Sequence, residues 1–300
     1  MVRPGRILLG DNPFIGVDHL SQERSRQRVS HIDPTGIMRV IDAAVEAGAQ
    51  GIVCSAHPAM KATLNVMKEQ HRSGGFDVYL IVPDVQHYIR LASEGGMLGV
   101  LNETFGRLSY GGKTKAFVGG GVSLLTSNPE RVMKTYLEAE VSSFAKLVPH
   151  ESCLRGVFLH ELVTELLVSF RLAAFAQTYI NYVRNSLGIL PGFVTRNFAR
   201  FVDFASETGL PEDEMIVMSP FNKQGFQMNP SREACELALV AHPEVTVIAM
   251  SVLSAGYLDL KEAISYLTSL PRSVSCVVGV STEAHASETF SYLREKLSQG

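Results

Sequence analysis

Imidazoles, carboxylates and amides in this chain tend to stand directly after short apolar runs. Val157-Phe158-Leu159 ends in His160-Glu161, Gly51 to Ser55 leads to His57, and Val78 to Val82 leads to Asp84, with His87 close behind. The same arrangement puts Asp11-Asn12 after Arg6 to Gly10, Asn197 after Gly192 to Thr195, and Asn222-Lys223 after Met215 to Met218. An imidazole or carboxylate held this way can move a proton or bind a metal, and a lysine can bind an anion or form a Schiff base. His160, His57, Asp84 and Lys223 are therefore the candidate catalytic residues, and Asp11, Asn12, Glu161, Asn197 and Asn222 the candidate binding residues.

Each of these positions also has a plainer interpretation. His57, Asp84, His87, His160 and Glu161 could supply nitrogen and oxygen ligands to a divalent cation. No HxH or HExxH spacing selects a metal, and each histidine could instead bond a neighbouring loop, so no metal is assigned. Lys223 lies between Phe221 and Phe226, in either a ligand-contacting patch or an ordinary β-to-α loop that Asn229-Pro230-Ser231 closes before the next helix. Asp11-Asn12-Pro13 is ordinary turn chemistry, which competes with ligand binding. Gly119-Gly120-Gly121 lacks the lysine and Ser/Thr of a nucleotide loop and is expected to be a bend. Cys54 has an apolar flank and is expected to be an inert buried thiol.

Such residues need rigid elements behind them. Uncharged β-branched and aromatic runs, each followed by a helical pattern, predict parallel strands buried on both faces. The strands are expected at Arg6–Gly10, Gly51–Ser55, Val78–Val82, Val157–His160, Gly192–Thr195, Met215–Met218, Val245–Met250 and Ser275–Val280. Asp33-Pro34-Thr35 should start the first helix with a capping side chain and a first-turn proline, and Gly48 should stop it. Asp18 to Pro34 is polar and is expected to form a flexible loop over the mouth. Ala116 to Val122 could be one more strand, but it would make nine. Met97 to Pro149 is therefore read as a mostly helical insertion between the third and fourth strands. Eight strands with crossovers favour a single-domain α/β (β/α)8 TIM barrel over residues 1–300, whose loops at the strand C-terminal ends carry the site.

Bulk properties narrow the partners. The 300 residues are 46% hydrophobic and 19% charged, with a net charge of -3, which offers no electrostatic case for nucleic acid or an anionic membrane. No stretch approaches the roughly 18 to 20 apolar residues of a membrane span. No secretory signal is evident, and the four scattered cysteines suggest reduced thiols rather than a disulfide framework. The expectation is a soluble cytoplasmic protein acting on a small molecule, its oligomeric state open.

The C-terminal third resembles the aldo-keto reductase superfamily. The residues carrying the likeness are Val247-Ile248-Ala249-Met250-Ser251-Val252-Leu253-Ser254-Ala255-Gly256, Glu262 to Tyr266, and Val277-Val278-Gly279-Val280-Ser281 before Glu283-Ala284-His285. Gly192-Phe193-Val194-Thr195-Arg196-Asn197-Phe198 is a weaker echo of the family's fifth strand. The resemblance implies an NAD(P) cofactor whose phosphate side lies near Ser251, Gly279 and Ser281. It also implies a catalytic aspartate and tyrosine after strand two, a lysine after strand three and a histidine after strand four. Only His160 matches that set. Val53 stands at the aspartate position, Pro58 or His57 at the tyrosine, and Pro83-Asp84 at the lysine; basic residues to grip an adenosine 2′-phosphate are absent from Ser281 to Ser287.

The leading expectation is an oxidoreductase-like barrel acting on a small carbonyl or hydroxyl compound with a non-standard catalytic set. In it, His160 orients or protonates the substrate oxygen. The alternatives are a metal- or lysine-assisted lyase, isomerase or hydrolase, and a ligand-binding barrel without catalysis.

Overall fold

The structure is a computed structural model that describes residues 4–16, 33–70, 76–83, 129–148 and 153–297. Its strands are β1 (Ile7–Gly10), β2 (Gly51–Ser55), β3 (Asp77–Val82), β4 (Leu154–Leu159), β5 (Leu190–Val194), β6 (Ile216–Pro220), β7 (Thr246–Met250) and β8 (Ser275–Gly279). All neighbours pair in parallel in sequence order, and β8 returns to β1, so the sheet closes. The expected eight-stranded barrel is thus the observed architecture. β3 pairs directly with β4, from Val78↔Leu154 to Val82↔Leu159. No strand therefore intervenes between them. Residues 116–122 lie outside the described residues, as do Asp84, His87 and the expected mouth loop from residue 18 to residue 32. Of the expected insertion, the helix Pro129–Ala145 is described.

The helices are α1 (Pro34–Ala47), α2 (Pro58–Glu69), α3 (Pro129–Ala145), α4 (Glu161–Ser169), α5 (Ala173–Asn181), α6 (Phe198–Thr208), α7 (Arg232–Ala241), α8 (Leu260–Ser269) and α9 (Glu283–Leu297). Local chemistry accounts for several of their ends. The Asp33 carboxylate accepts the Gly36 N–H at 2.6 Å, and Pro34 follows at the first helical position, where its missing N–H costs nothing. Gly48 ends α1 at φ 122°, a conformation that side chains resist. It also lets α9 approach, since a Cβ at Gly48 would lie 2.8 Å from the Arg294 side chain.

Two apolar layers hold the barrel. Alternation along each strand sends one set of side chains to the interior: Leu8, Val53, Tyr79, Phe158, Val194, Ile216, Met218 and Ile248. The other set, including Leu9, Cys54, Leu80, Val157, Phe193 and Val247, packs beneath the helices. Inside, Tyr79 and Phe158 meet edge-on with ring centroids 6.1 Å apart. Gly192 makes room for Phe158, whose ring would be 2.3 Å from a Cβ there. The interior is therefore filled, as barrels of this size are, and chemistry is left to the rims.

Candidate active site

Register sets the geometry of the C-terminal rim. Ser55 is level with Ile81, and Ile81 with Phe158. His57 and His160 each stand two residues beyond this level, where the chain turns into the following helix. The ladder continues that far on one side, because the His160 N–H donates to the Val82 carbonyl at 2.7 Å. His57 and His160 thus both stand at the C-terminal rim, after β2 and β4. Both sequence-predicted histidines stand at this rim; Asp84 and His87 lie outside the described residues.

The two imidazoles share one further feature. Each residue is the N-cap of the helix that follows its strand. The Ala59 N–H donates to His57 Nδ1 at 3.2 Å, and the Leu162 N–H donates to His160 Nδ1 at 3.1 Å. A nitrogen that accepts an N–H carries no proton, so in the neutral ring the proton sits on Nε2 in both cases. Both rings make contacts besides these bonds. The arrangement makes each ring a donor through Nε2, and poorly suited to hold a metal through that atom, since coordination would require Nε2 to give up its proton.

On the β4–β5 side, Glu161 and Arg196 face each other. Arg196 donates from Nε and Nη2 to the two carboxylate oxygens of Glu161, both at 2.8 Å. One turn along α4, Glu165 accepts from the Thr195 hydroxyl at 2.6 Å and from the Arg196 backbone N–H at 3.3 Å. These carboxylates tie the end of β5 to α4. Glu161, proposed from sequence as a ligand-binding residue, therefore has both oxygens engaged by an arginine. Among the described residues, no group of three or more His, Cys, Asp or Glu is placed to hold a metal ion. Arg196 and Glu165 were not among the sequence candidates. Arg196 reaches Glu165 across 31 residues and Glu161 across 35, and nothing in the local pattern announced either contact.

Asn197 follows immediately. Its N–H donates to Thr195 Oγ1 at 2.9 Å, whereas its side-chain Oδ1 is buried and accepts no hydrogen bond. Buried acceptors are normally satisfied, which marks this oxygen as a position for a ligand N–H.

Several other candidates have local duties. Asp11, nearly buried, accepts the Ser55 N–H and Oγ–H at 2.8 Å each, while its carbonyl receives the Phe14 and Ile15 N–H groups. It shapes the turn containing Asn12 and clamps β1 to β2. Asn222 is buried and uses both ends of its amide on the Phe226 backbone, at 2.8 and 2.9 Å. Lys223 Nζ bonds Glu262 Oε1 at 2.8 Å with its side chain half exposed, without the desolvation that activates an amine for Schiff-base chemistry. Cys54 is buried, and burial, reinforced by the nearby Asp11 charge, pushes its thiol well above the ordinary range.

The last two strand ends frame the other side of the mouth. Ser251 takes φ 53° after β7 and approaches Gln227 Oε1 at 3.5 Å. Ser254, Ala255 and Gly256 continue the loop, all at positive φ. Gly279 pairs with Gly10, and a Cβ there would lie 3.0 Å from the Pro13 ring. Ser281 and Thr282 then lead into α9, where Thr282 Oγ1 accepts the His285 N–H at 3.2 Å and Glu283 pairs with Arg39 at 3.0 Å.

This barrel has the fold of solved aldo-keto reductases. Its structural neighbours are aldo-keto reductases that cover nearly the whole chain. One assigned to that family from Pseudomonas aeruginosa covers 98% of this chain and 91% of its own, at TM-score 0.60 and 11% identity. The glycerol dehydrogenase AKR11B4 of Gluconobacter oxydans covers 96% and 86%, at TM-score 0.53 and 12% identity. The holo form of AKR11C1 from Bacillus halodurans covers 95% and 85%, at TM-score 0.53 and 10% identity. No family model and no curated protein matches the sequence. At these identities the likeness establishes the fold.

Proposed function

We propose that this protein is an oxidoreductase of aldo-keto-reductase type that acts on a small carbonyl or hydroxyl compound through a catalytic set lacking the tyrosine and lysine. The observation that carries it is the His160 imidazole, at the end of β4, its proton assigned to Nε2 by the Leu162 N–H. A neutral imidazole at a helix N-terminus donates a hydrogen bond to a carbonyl oxygen and so favours charge developing there.

The residues present fit a nicotinamide dinucleotide. The buried, unsatisfied Oδ1 of Asn197 suits an amide N–H such as that of the nicotinamide carboxamide. Ser251, Gly279 and Ser281 would line its phosphate side, and bound there it would supply the hydride. Next to Ser281, the α9 start presents Glu283, with Arg39 already paired to it. With that arginine already engaged and no lysine or arginine from Ser281 to Ser287, a 2′-phosphate gains little, so NADH should bind at least as tightly as NADPH.

Calorimetric titration with NADH and with NADPH, followed by turnover assays with short aldehydes, tests this function. Binding of NADH with hydride transfer to an aldehyde supports it. Failure to bind either dinucleotide removes it.

A further inference from the structure

We infer that the N-terminal face of the barrel, opposite the proposed active site, carries a binding site for a small phosphorylated molecule, its phosphate held between the guanidinium groups of Arg155 and Arg184.

The site is a cleft of about 270 Å³ where β4 and β5 begin. Leu154 and Arg155 open β4, Leu190 opens β5, and Gly188 and Ile189 lead into it. Arg184 comes from the π-helical turn Tyr182–Ser186. That turn is wide: the Leu187 N–H donates to the Tyr182 carbonyl and the Ile189 N–H to the Val183 carbonyl, each at 3.3 Å. Gly188 takes φ 70°, and a Cβ there would meet nothing within 4 Å, so the chain leaves that space open. Ligand pockets usually span roughly 300–1,000 Å³, so this one suits a molecule of few carbons. It is also separate from the mouth. β4 runs six residues from Leu154 to Leu159, roughly 20 Å at the usual rise per residue.

Charge decides what enters. Arg155 uses Nε on Asp77 Oδ1 at 3.3 Å, and Arg184 uses Nη1 on Glu214. Among the described residues, neither guanidinium has a further hydrogen-bond partner, so most of the donors on each fork are unused. Asp77 is engaged from a second side, accepting from the Tyr79 hydroxyl at 3.2 Å, which fixes it as the anchor of Arg155. The two arginine side chains are 36% and 33% exposed, so an incoming anion meets partly desolvated cations. A carboxylate has two oxygens and fills one fork. A phosphate monoester presents three, enough to bond both arginines at once. Its carbon portion can lie on Leu154, Ile189 and Leu190.

The test is calorimetric titration of the full-length protein, at neutral pH and constant ionic strength, with inorganic phosphate, glycerol 3-phosphate and acetate. Both phosphate probes should saturate a single site, and acetate should bind about tenfold or more weakly than either. Arg155→Lys and Arg184→Lys keep a charge beside Asp77 and Glu214, which preserves folding, but lose the fork. Each should weaken phosphate binding by about tenfold or more. Hydrogen exchange of the wild-type protein locates the site without substitution, since phosphate should slow exchange of the amides at 184–190.

No saturable binding of either phosphate probe, acetate binding as tight as phosphate, wild-type affinity in either lysine variant, or protection confined to the loops after β7 and β8 would each overturn the site. Displacement of phosphate by NADH would do the same, by placing the anion at the mouth.

Discussion

His160 has two jobs at one ring, and substitutions can separate them. Its Nδ1 caps α4, and in the proposed function its Nε2–H serves the substrate oxygen. His160→Asn keeps an acceptor for the Leu162 N–H and should leave stability within about 0.5 kcal/mol, whereas His160→Ala should lose about 0.5–2 kcal/mol in urea melts. Both should lower aldehyde turnover by roughly 10²–10⁴, the usual worth of a positioned acid or donor. If turnover tracked stability instead, the histidine would be only a cap. At the neighbouring ion pair the expected effect is smaller. Arg196 and Glu161 are 38% and 30% exposed. Arg196→Met should therefore cost about 1 kcal/mol or less, and the difference from wild type should shrink in high salt.

At the scale of elements, the barrel depends on glycines placed where strands crowd, and Gly192 is the sharpest case. Phe158 fills the interior opposite it and is fully buried, so its ring has nowhere to go when a methyl group arrives. Gly192→Ala should destabilise the protein by about 1–3 kcal/mol, measured as a shift in denaturation midpoint with unchanged slope. The same strand is held from outside by the buried Tyr179 of α5, whose hydroxyl donates to the Val157 carbonyl at 2.6 Å and accepts the Gly192 N–H at 3.4 Å. β4 and β5 are thus fixed on both faces, directly beneath His160 and Arg196. A change at Gly192 should accordingly alter activity as well as stability.

Across the whole molecule, burial of titratable groups predicts an alkaline limit. Burial pushes the Cys276 thiol from an ordinary 9.0 up to about 12 and the Cys235 thiol up to about 11, and Cys54 is raised as well. Each folded-state value exceeds the unfolded one, so the native state keeps protons that the unfolded chain releases. Their contribution to stability is complete below pH 9 and disappears as pH rises through about 11 to 12. Melting temperature should fall steadily above pH 9, and Cys276→Ala should flatten that slope. An unchanged slope would show that the thiols do not govern the alkaline limb. The same burial should leave all four cysteines unreactive to alkylating reagents until the chain unfolds.

Periodicity alone determined the barrel. Uncharged strand runs such as Val78–Val82, helix starts such as Asp33-Pro34 and the stop at Gly48 are local chemistry, and local chemistry is written in neighbouring residues. Strand ends drifted by a few residues, as at Leu154 and Leu190, because arginine, proline and glycine interrupt runs whose pairing continues in three dimensions. The site was legible only as a roster of residue types after strands. Tertiary structure decided their roles: Asn222 was drawn into its own loop, Lys223 to Glu262, and Glu161 to Arg196. It also made His57 and His160 the caps of the helices after β2 and β4, each accepting a backbone N–H at Nδ1. The reason is physical. Which side chains share a layer depends on strand register, and register is set by packing across the closed sheet rather than by any one segment.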